Sequence, residues 1–367
     1  MVPAGGGTSI MLTQIKLRDF RCFEQLDVAL VPGTQFFVGD NAQGKTSILE
    51  AVCALLRLAS PRSTSLQPLV REGTRGFSVQ GTFEGRLMQF YLGPERRKLV
   101  LDGVEQSGTG EYLRLAKLVY FSNTDLELVR GSGEGRRRFL DFLGSQIEPL
   151  YRTNLRAYER ALRSRNRLLK TVLGRRREVE AYDAPLLDTG VLLTQLRRSL
   201  VAELQPWIVE AQRSVRTITA GGAGEELTLE YQPGSGEDFA AALADSREEE
   251  TRLRQTLVGP HRDDLRLLLG GRAAATYGSE GQQRTLALSL KMAQAGLLEA
   301  VWKKPPLLLL DDVFGELDPG RRNALLATLP AGSQRLVATT HLQWLDDAPD
   351  GPIWRLAERG IAPTVGR

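Results

Sequence analysis

The chain has 367 residues, of which 42% are hydrophobic, enough for one large domain or two ordinary ones. Its two cysteines, Cys22 and Cys53, are too few for a disulfide framework, and no apolar run approaches the length of a membrane span. Disulfide-stapled and membrane-spanning classes are therefore excluded. Since residues 1–10 lack the features of a signal peptide, we expect a cytoplasmic protein. The net charge of +4 hints at a polyanionic partner without establishing one.

The first predicted elements are strands. Residues 12–17 and 26–30 alternate apolar and polar side chains, and residues 35–38 form a short apolar strand. Arg21 lies between the first two strands and is a candidate contact for a ribose or a phosphate. An ordinary surface arginine is the alternative at this position.

The third strand leads into a loop with the pattern G-x-x-x-x-G-K-[ST], and a helix with a buried stripe follows it. In this context the loop N–H groups point at phosphate oxygens, and the helix N-terminus adds a positive dipole end. We expect Lys45 to reach the β- and γ-phosphates and the Thr46 hydroxyl to bind Mg²⁺. The predicted nucleotide-binding residues are Gly39, Asp40, Asn41, Ala42, Gln43, Gly44, Lys45, Thr46 and Ser47.

An antiparallel meander is predicted next, from strands at residues 77–83, 87–92 and 98–101 that turn-like segments separate. Its place in the chain suggests an added sheet beside a parallel nucleotide core. An apolar strand at residues 118–121 follows and ends in a polar loop.

Two long helices dominate the middle of the chain. The first, at residues 148–177, has an apolar stripe and a basic stripe, and the second, at residues 189–211, repeats leucines every four residues. The two predict an antiparallel hairpin. The basic stripe is a candidate surface for a DNA backbone, and a solvated helix face is the alternative. Its members are Arg152, Arg156, Arg160, Arg163, Arg167 and Lys170.

Carboxylates end a leucine-rich strand in the last part of the chain. Asp311 is predicted to hold Mg²⁺ beside Thr46, and Asp312 to orient or deprotonate an attacking water. A later strand ends at His341, a candidate sensor of the γ-phosphate. These positions give the second half of the predicted nucleotide site.

A further anion site is predicted where Ser279 caps a long helix. The Ser279 hydroxyl and the Gly281 N–H are its donors. Physical reasoning on the sequence leaves open whether this cap faces its own nucleotide or that of another subunit.

The order of these motifs resembles the ATP-binding-cassette superfamily, and more closely the RecF family of bacterial recombination mediators, which is related to SMC ATPases. The closer resemblance rests on residues 17–21, 39–46, 135–141, 165–170, 259–264 and 279–284. It implies an α/β fold: an ABC-type P-loop ATPase head with an added antiparallel sheet, plus a mainly helical inserted lever domain. The implied bounds are 11–120 and 255–367 for the ATPase domain and 121–254 for the insertion.

The resemblance also assigns roles to the candidate residues, with ATP and Mg²⁺ as cofactors. Lys45, Asp312 and His341 are the implied catalytic residues. Asn123 is the implied lid residue, in place of the glutamine usual in the superfamily. The superfamily often has glutamate where Asp312 stands, which favours slow hydrolysis. The residues implied to contact ATP of the opposing subunit are Ser279, Gly281, Gln282 and Asp318.

The function that the resemblance implies is a weak, DNA-dependent ATPase that acts as a switch. ATP joins two copies into a homodimer on double-stranded or gapped DNA, and RecR with RecO is the partner in loading recombinase during replication-fork repair and the SOS response. One alternative is another SMC-like or transporter-type ATPase subunit, against which the basic stripe argues. A DNA-binding scaffold with a vestigial site is the other, against which the intact Lys45 and Asp311 argue.

Overall fold

The structure is a computed structural model, and it divides the chain into two compact units. Unit 1 is residues 1–123 with 294–367, and unit 2 is residues 124–293. The residues that the structure describes are 11–63, 65–171, 176–219, 225–313, 319–343, 345, 351–357 and 360–364.

The elements of the described residues follow the chain in this order. The strands are β1 Leu12–Phe20, β2 Phe23–Ala29, β3 Thr34–Val38, β4 Phe77–Phe83, β5 Arg86–Leu92, β6 Arg97–Leu101, β7 Val104–Glu105, β8 Leu118–Ser122, β9 Leu227–Gln232, β10 Asp264–Leu269, β11 Arg272–Ala273, β12 Leu307–Asp311, β13 Arg335–Thr339, β14 Ile353–Ala357 and β15 Gly360–Thr364. The helices are α1 Lys45–Arg57, α2 Gly110–Arg114, α3 Glu127–Arg130, α4 Gly133–Ile147, α5 Tyr151–Thr171, α6 Arg176–Glu180, α7 Asp183–Thr219, α8 Phe239–Asp245, α9 Arg247–Leu253, α10 Ala274–Tyr277, α11 Glu280–Trp302 and α12 Pro319–Thr328.

The nucleotide core of unit 1 is a mainly parallel sheet with the strand order β15-β14-β3-β13-β12-β8. Its central strands are continuous apolar runs, and the four leucines of β12 before Asp311 are fully buried. Such runs are typical of parallel strands that are covered on both faces. The predicted strands at 35–38, 118–121 and before the two carboxylates are thereby confirmed.

A second sheet of unit 1 is antiparallel, with the order β2-β1-β4-β5-β6-β7, and it includes the predicted meander. Helix α1 packs against strands of both sheets. All its residues from Ile48 to Arg57 are buried, so burial extends beyond the predicted stripe, and Glu50 and Arg57 are the charged residues among them. The phosphate loop is therefore anchored by a helix that both sheets hold in place.

Unit 2 contains the predicted helix hairpin, formed by α5 and α7. Arg165 bonds to Asp183, whereas Asn154, earlier on α5, bonds to the carbonyl oxygen of Thr189, later on α7. The contacts therefore run in opposite directions, which confirms the antiparallel arrangement. The apolar stripe of α5 packs against α7 and α8 around Tyr158.

The strand β10 joins β9 and β11 in a separate three-stranded sheet within unit 2. The sequence instead predicts that the nucleotide core resumes at residue 255. The contacts group residues 255–293 with the helices because β10 pairs along its whole length with β9. The first unit boundary lies close to the expected one at residue 120, and the second lies inside α11.

The fold class is thus the predicted α/β class, with a parallel nucleotide sheet, an added antiparallel sheet and a mainly helical unit. Among the described residues, no helix has the length and apolar character that crossing a membrane demands.

Candidate nucleotide site

The phosphate loop curls between β3 and α1 through backbone conformations that favour small residues. Gly44 has φ +99°, and a Cβ atom there would come within 2.5 Å of the Phe23 ring. Ala42 also lies in the left-handed region, at φ +66°. The Lys45 ammonium donates to the carbonyl oxygens of Gly39 and Asp40 at 2.6 and 2.7 Å. The lysine therefore lies across the loop, at the centre of the predicted phosphate cradle.

Thr46 and Asp311 meet although 265 residues separate them in the chain. The Thr46 hydroxyl donates to Oδ1 of Asp311 at 2.7 Å. The parallel register explains the meeting, because Asp311 lies opposite Ala338 of β13, and the next residue of β13 lies opposite Val38 at the end of β3. The carboxyl ends of these strands therefore lie along one edge of the sheet, which is where ligands bind in parallel α/β sheets.

Burial shifts the pKa values of Lys45 and Asp311, two charged groups at this edge. Burial lowers the pKa of Lys45, and the nearby carboxylates Asp312 and Asp311 oppose that shift. Burial also raises the pKa of Asp311, while the hydroxyls of Tyr120 and Thr46 oppose that rise by hydrogen bonding to the ionised form. Because desolvation disfavours each charge alone, an opposite charge beside it is favourable here: phosphate beside Lys45, or a cation beside Asp311.

The donor set fits Mg²⁺. This ion prefers hard oxygen ligands, and it usually takes one or two protein ligands together with phosphate oxygens and waters. The Thr46 hydroxyl and the Asp311 carboxylate are such donors. Across the described ranges, no group of three or more His, Cys, Asp and Glu side chains is placed to hold a metal. The predicted Mg²⁺ would be held by these two residues together with phosphate oxygens and waters.

Three other predicted residues lie at or next to the carboxyl ends of the sheet strands. Asp312 follows β12 with φ +52°, and its N–H donates to the Ala338 carbonyl oxygen at 3.1 Å. His341 is exposed two residues beyond β13, and Asn123 is exposed directly after β8. Their roles as water-activating residue, γ-phosphate sensor and lid stay predictions.

The predicted helix cap at Ser279 is confirmed in unit 2. The Ser279 hydroxyl accepts from the Gln282 N–H at 3.3 Å, and the Gln282 side chain accepts from the Ser279 N–H at 2.8 Å. This reciprocal pair is a capping box, and it fixes the start of α11. Gly281 is exposed in the first turn. Contact with an opposing subunit stays a prediction, and Asp318 lies outside the described residues.

The basic stripe on α5 is exposed over its C-terminal part. Its first two members are half-buried. Of the other four, Arg163 pairs with Glu159 of the same helix at 3.6 Å. The exposed members are Arg160, Arg163, Arg167 and Lys170.

Sequence reasoning missed two side chains that hold predicted site residues. The buried Tyr120 hydroxyl donates to Oδ2 of Asp311 at 2.5 Å. The sequence feature that could have indicated this role is a tyrosine, with its polar hydroxyl, inside the apolar run of residues 118–121. In unit 2, the buried Gln283 amide donates to the carbonyl oxygens of Ala274 and Gly278, which fixes the segment before Ser279. The sequence feature that could have indicated Gln283 is that it directly follows Gln282 in the predicted helix start.

Arg21 has a structural partner. Its guanidinium donates from Nε and Nη2 to the Glu50 carboxylate of α1, at 2.9 and 3.0 Å. Because Glu50 is fully buried, the pair ties the turn between β1 and β2 to the phosphate-loop helix. A contact from Arg21 to ribose or phosphate stays a prediction.

Comparison with known proteins is consistent with these features. A family model described as an AAA domain matches residues 14–88. The DNA replication and repair protein RecF of Synechococcus sp. is 38% identical over 356 residues, which cover 91% of this chain and 92% of that protein. A solved structure of the recombination mediator protein RecF with ATP in the RecFOR pathway is 26% identical, with a TM-score of 0.87, over 99% of this chain and all of that chain.

A more distant likeness concerns the fold alone. The Smc head domain of Pyrococcus furiosus with an extended coiled coil matches with a TM-score of 0.51 and 14% identity, over 97% of this chain and 96% of that chain. The full-length similarity to curated relatives is the stronger finding, and it shows that this chain belongs to the RecF family of DNA replication and repair proteins.

Proposed function

We propose that this chain is an ATP-dependent recombination mediator that dimerises on ATP and binds duplex DNA at single-strand gaps. ATP and Mg²⁺ bind at the phosphate loop, and slow, DNA-stimulated hydrolysis at Asp312 reopens the dimer and releases it. In the cytoplasm it acts with RecR and RecO to load recombinase during replication-fork repair and the SOS response. The observation that carries the proposal is the hydrogen bond from Thr46 to Asp311 beside a phosphate loop, in a chain of the RecF family.

The proposed dimer is supported by the exposure of the capped helix start. Ser279 and Gly281 are exposed in unit 2, and a capped helix N-terminus offers N–H groups and a positive dipole end to an anion. In a head-to-tail dimer, this end would meet the γ-phosphate bound to the other copy. ATP would then act as part of the interface, which makes association depend on the nucleotide.

Replacing Ser279 with arginine is expected to abolish ATP-dependent dimerisation. The larger side chain would occupy the place of the γ-phosphate, whereas loss of the cap costs only about 1 kcal/mol of stability. Light scattering with and without ATP gives the mass directly. Thr251→Arg, at an exposed site on α9, is the matched control and should dimerise normally. Wild-type protein that stays monomeric with ATP and with ATP plus duplex DNA would contradict the dimer model.

The proposed DNA contact is supported by the charge and exposure of the α5 stripe. Exposed arginines along one helix face neutralise phosphates and release counterions, so affinity depends on their number and on salt. Of these arginines, Arg163 pairs with the Glu159 carboxylate of its own helix at 3.6 Å, and such an exposed pair is weak. Such a pair would be easily exchanged for a phosphate.

Replacing three stripe arginines together with alanine is expected to weaken duplex binding at every sequence and to reduce the salt slope by about 1 per lost contact. Fluorescence anisotropy over a range of salt concentrations measures both quantities. A triple variant at other exposed arginines of unit 2 is the control for net charge. An equal loss of duplex affinity in the stripe variant and the control variant would contradict a specific role of the stripe in DNA binding. The stripe residues are Arg160, Arg163 and Arg167, and the control residues are Arg198, Arg252 and Arg272.

A further inference from the structure

The buried tyrosine of β8 is placed to act on the metal carboxylate. Tyr120 lies opposite Leu309 of β12 in the parallel register, two residues before Asp311. Two residues of strand span about 6.6 Å, which a tyrosine side chain can bridge along the sheet. Its hydroxyl reaches Oδ2 of Asp311 at 2.5 Å, and the residue is only 4% exposed.

The two oxygens of Asp311 are held by different hydroxyls. Thr46 donates to Oδ1 from the phosphate-loop helix, and Tyr120 donates to Oδ2 from the neighbouring strand. Because the two donors lie on different oxygens, they fix the rotation of the Asp311 carboxylate about the Cβ–Cγ bond. Thr46 is itself a predicted metal ligand, so its hydroxyl would serve both the ion and Asp311. Tyr120 is not among the predicted metal ligands, so its hydroxyl would serve the carboxylate alone.

We propose that Tyr120 is a positioning residue that orients Asp311 for Mg²⁺, an inference that rests on the proposed ATP site. A tyrosine hydroxyl keeps its proton at neutral pH and therefore serves as a hydrogen-bond donor to the carboxylate. Without it, Oδ2 would be a buried acceptor lacking this donor, and the carboxylate would be free to turn away from Thr46. Partners of metal ligands commonly have this role, and their loss costs about 10- to 100-fold in metal affinity.

A second buried tyrosine of unit 1 provides a matched control. Tyr112 is fully buried, and in the described part of the chain its hydroxyl has no hydrogen-bond partner. Replacing either tyrosine with phenylalanine removes one buried oxygen and nothing else. Only the change at Tyr120 removes a contact with Asp311.

The test compares Mn²⁺ binding in wild type, Tyr120→Phe and Tyr112→Phe. Electron paramagnetic resonance of free Mn²⁺, with a non-hydrolysable ATP analogue present, gives the metal affinity without turnover. Tyr120→Phe is expected to bind Mn²⁺ about 10-fold more weakly. Its affinity for the analogue in EDTA should be unchanged, and Tyr112→Phe should match wild type in both measurements. Circular dichroism checks that each variant is folded.

The outcomes distinguish failure of the positioning role of Tyr120 from failure of the proposed ATP site. Unchanged Mn²⁺ affinity in Tyr120→Phe would overturn the positioning role, as would equal losses with Mn²⁺ and in EDTA, which indicate general damage. A Tyr120→Phe protein that does not fold would also overturn it, since the tyrosine would then be structural. Failure of wild type to bind the analogue under either condition would instead refute the proposed ATP site.

Discussion

Replacing Lys45 with alanine is expected to lower ATP hydrolysis by about 100-fold or more, the usual cost of losing one preorganised donor to developing charge. The ammonium lies across the phosphate loop, held by the carbonyl oxygens of Gly39 and Asp40. Phosphate oxygens would replace these carbonyl partners when nucleotide binds. Alanine leaves the loop backbone and its N–H groups in place, but it removes the only side-chain cation of the motif.

The measurement is steady-state phosphate release with saturating ATP and duplex DNA, together with ATP-analogue affinity. Lys16→Ala is the control, because Lys16 is a half-exposed lysine of β1 whose pairing with Asp27 lies on the surface. That variant should hydrolyse ATP at the wild-type rate. Hydrolysis by Lys45→Ala at a comparable rate would mean that the observed turnover comes from elsewhere, such as a contaminating ATPase.

Replacing Arg197 with methionine is expected to lower the free energy of unfolding by about 3–5 kcal/mol, the cost of breaking a buried ion pair. The guanidinium is only 3% exposed and contacts the carboxylates of Asp141 and Asp263, at 2.8 and 2.7 Å. Asp263 is itself completely buried. Removing the arginine leaves that charge without its main counter-ion.

The neighbouring Arg198 provides the matched control. Its ion pair with Glu237 is exposed on both sides, so Arg198→Met is expected to change stability by less than about 1 kcal/mol. Urea unfolding followed by circular dichroism compares the two variants. Equal, small effects would contradict the prediction, because they would show that the donors from Tyr231 and Gly234 satisfy Asp263 without the guanidinium.

The strand–loop–helix around Lys45 and the strand before Asp311 are the features that the sequence predicted best. A phosphate loop is a local pattern: Gly44, Lys45 and Thr46 adopt their conformation because of the residues directly around them. The strand before Asp311 was also predictable, because a run of four leucines is typical of a central strand that is covered on both faces. The meander was predictable because short turns set its pairing.

What escaped prediction depends on pairing between distant segments. The strand β10 has an alternating pattern that suits either sheet, and only its register with β9 assigns it to unit 2. Arg197 lies on α7, where a basic residue suggests a solvated face, yet its partners come from α4 and from the turn before β10. Tyr120 likewise depends on the register of β8 beside β12. Such partners leave no trace in local periodicity.

The order of synthesis gives the parallel sheet one more consequence. The neighbours of β3 are β13 and β14, and the neighbour of β8 is β12, so two early strands gain their sheet partners only from the last part of the chain. A nascent chain on the ribosome therefore exposes the edges of these strands until β12 and β13 have emerged. Contacts so distant in sequence form slowly. A message truncated before β12 would consequently yield no partial ATPase, only an aggregation-prone fragment with unpaired strands.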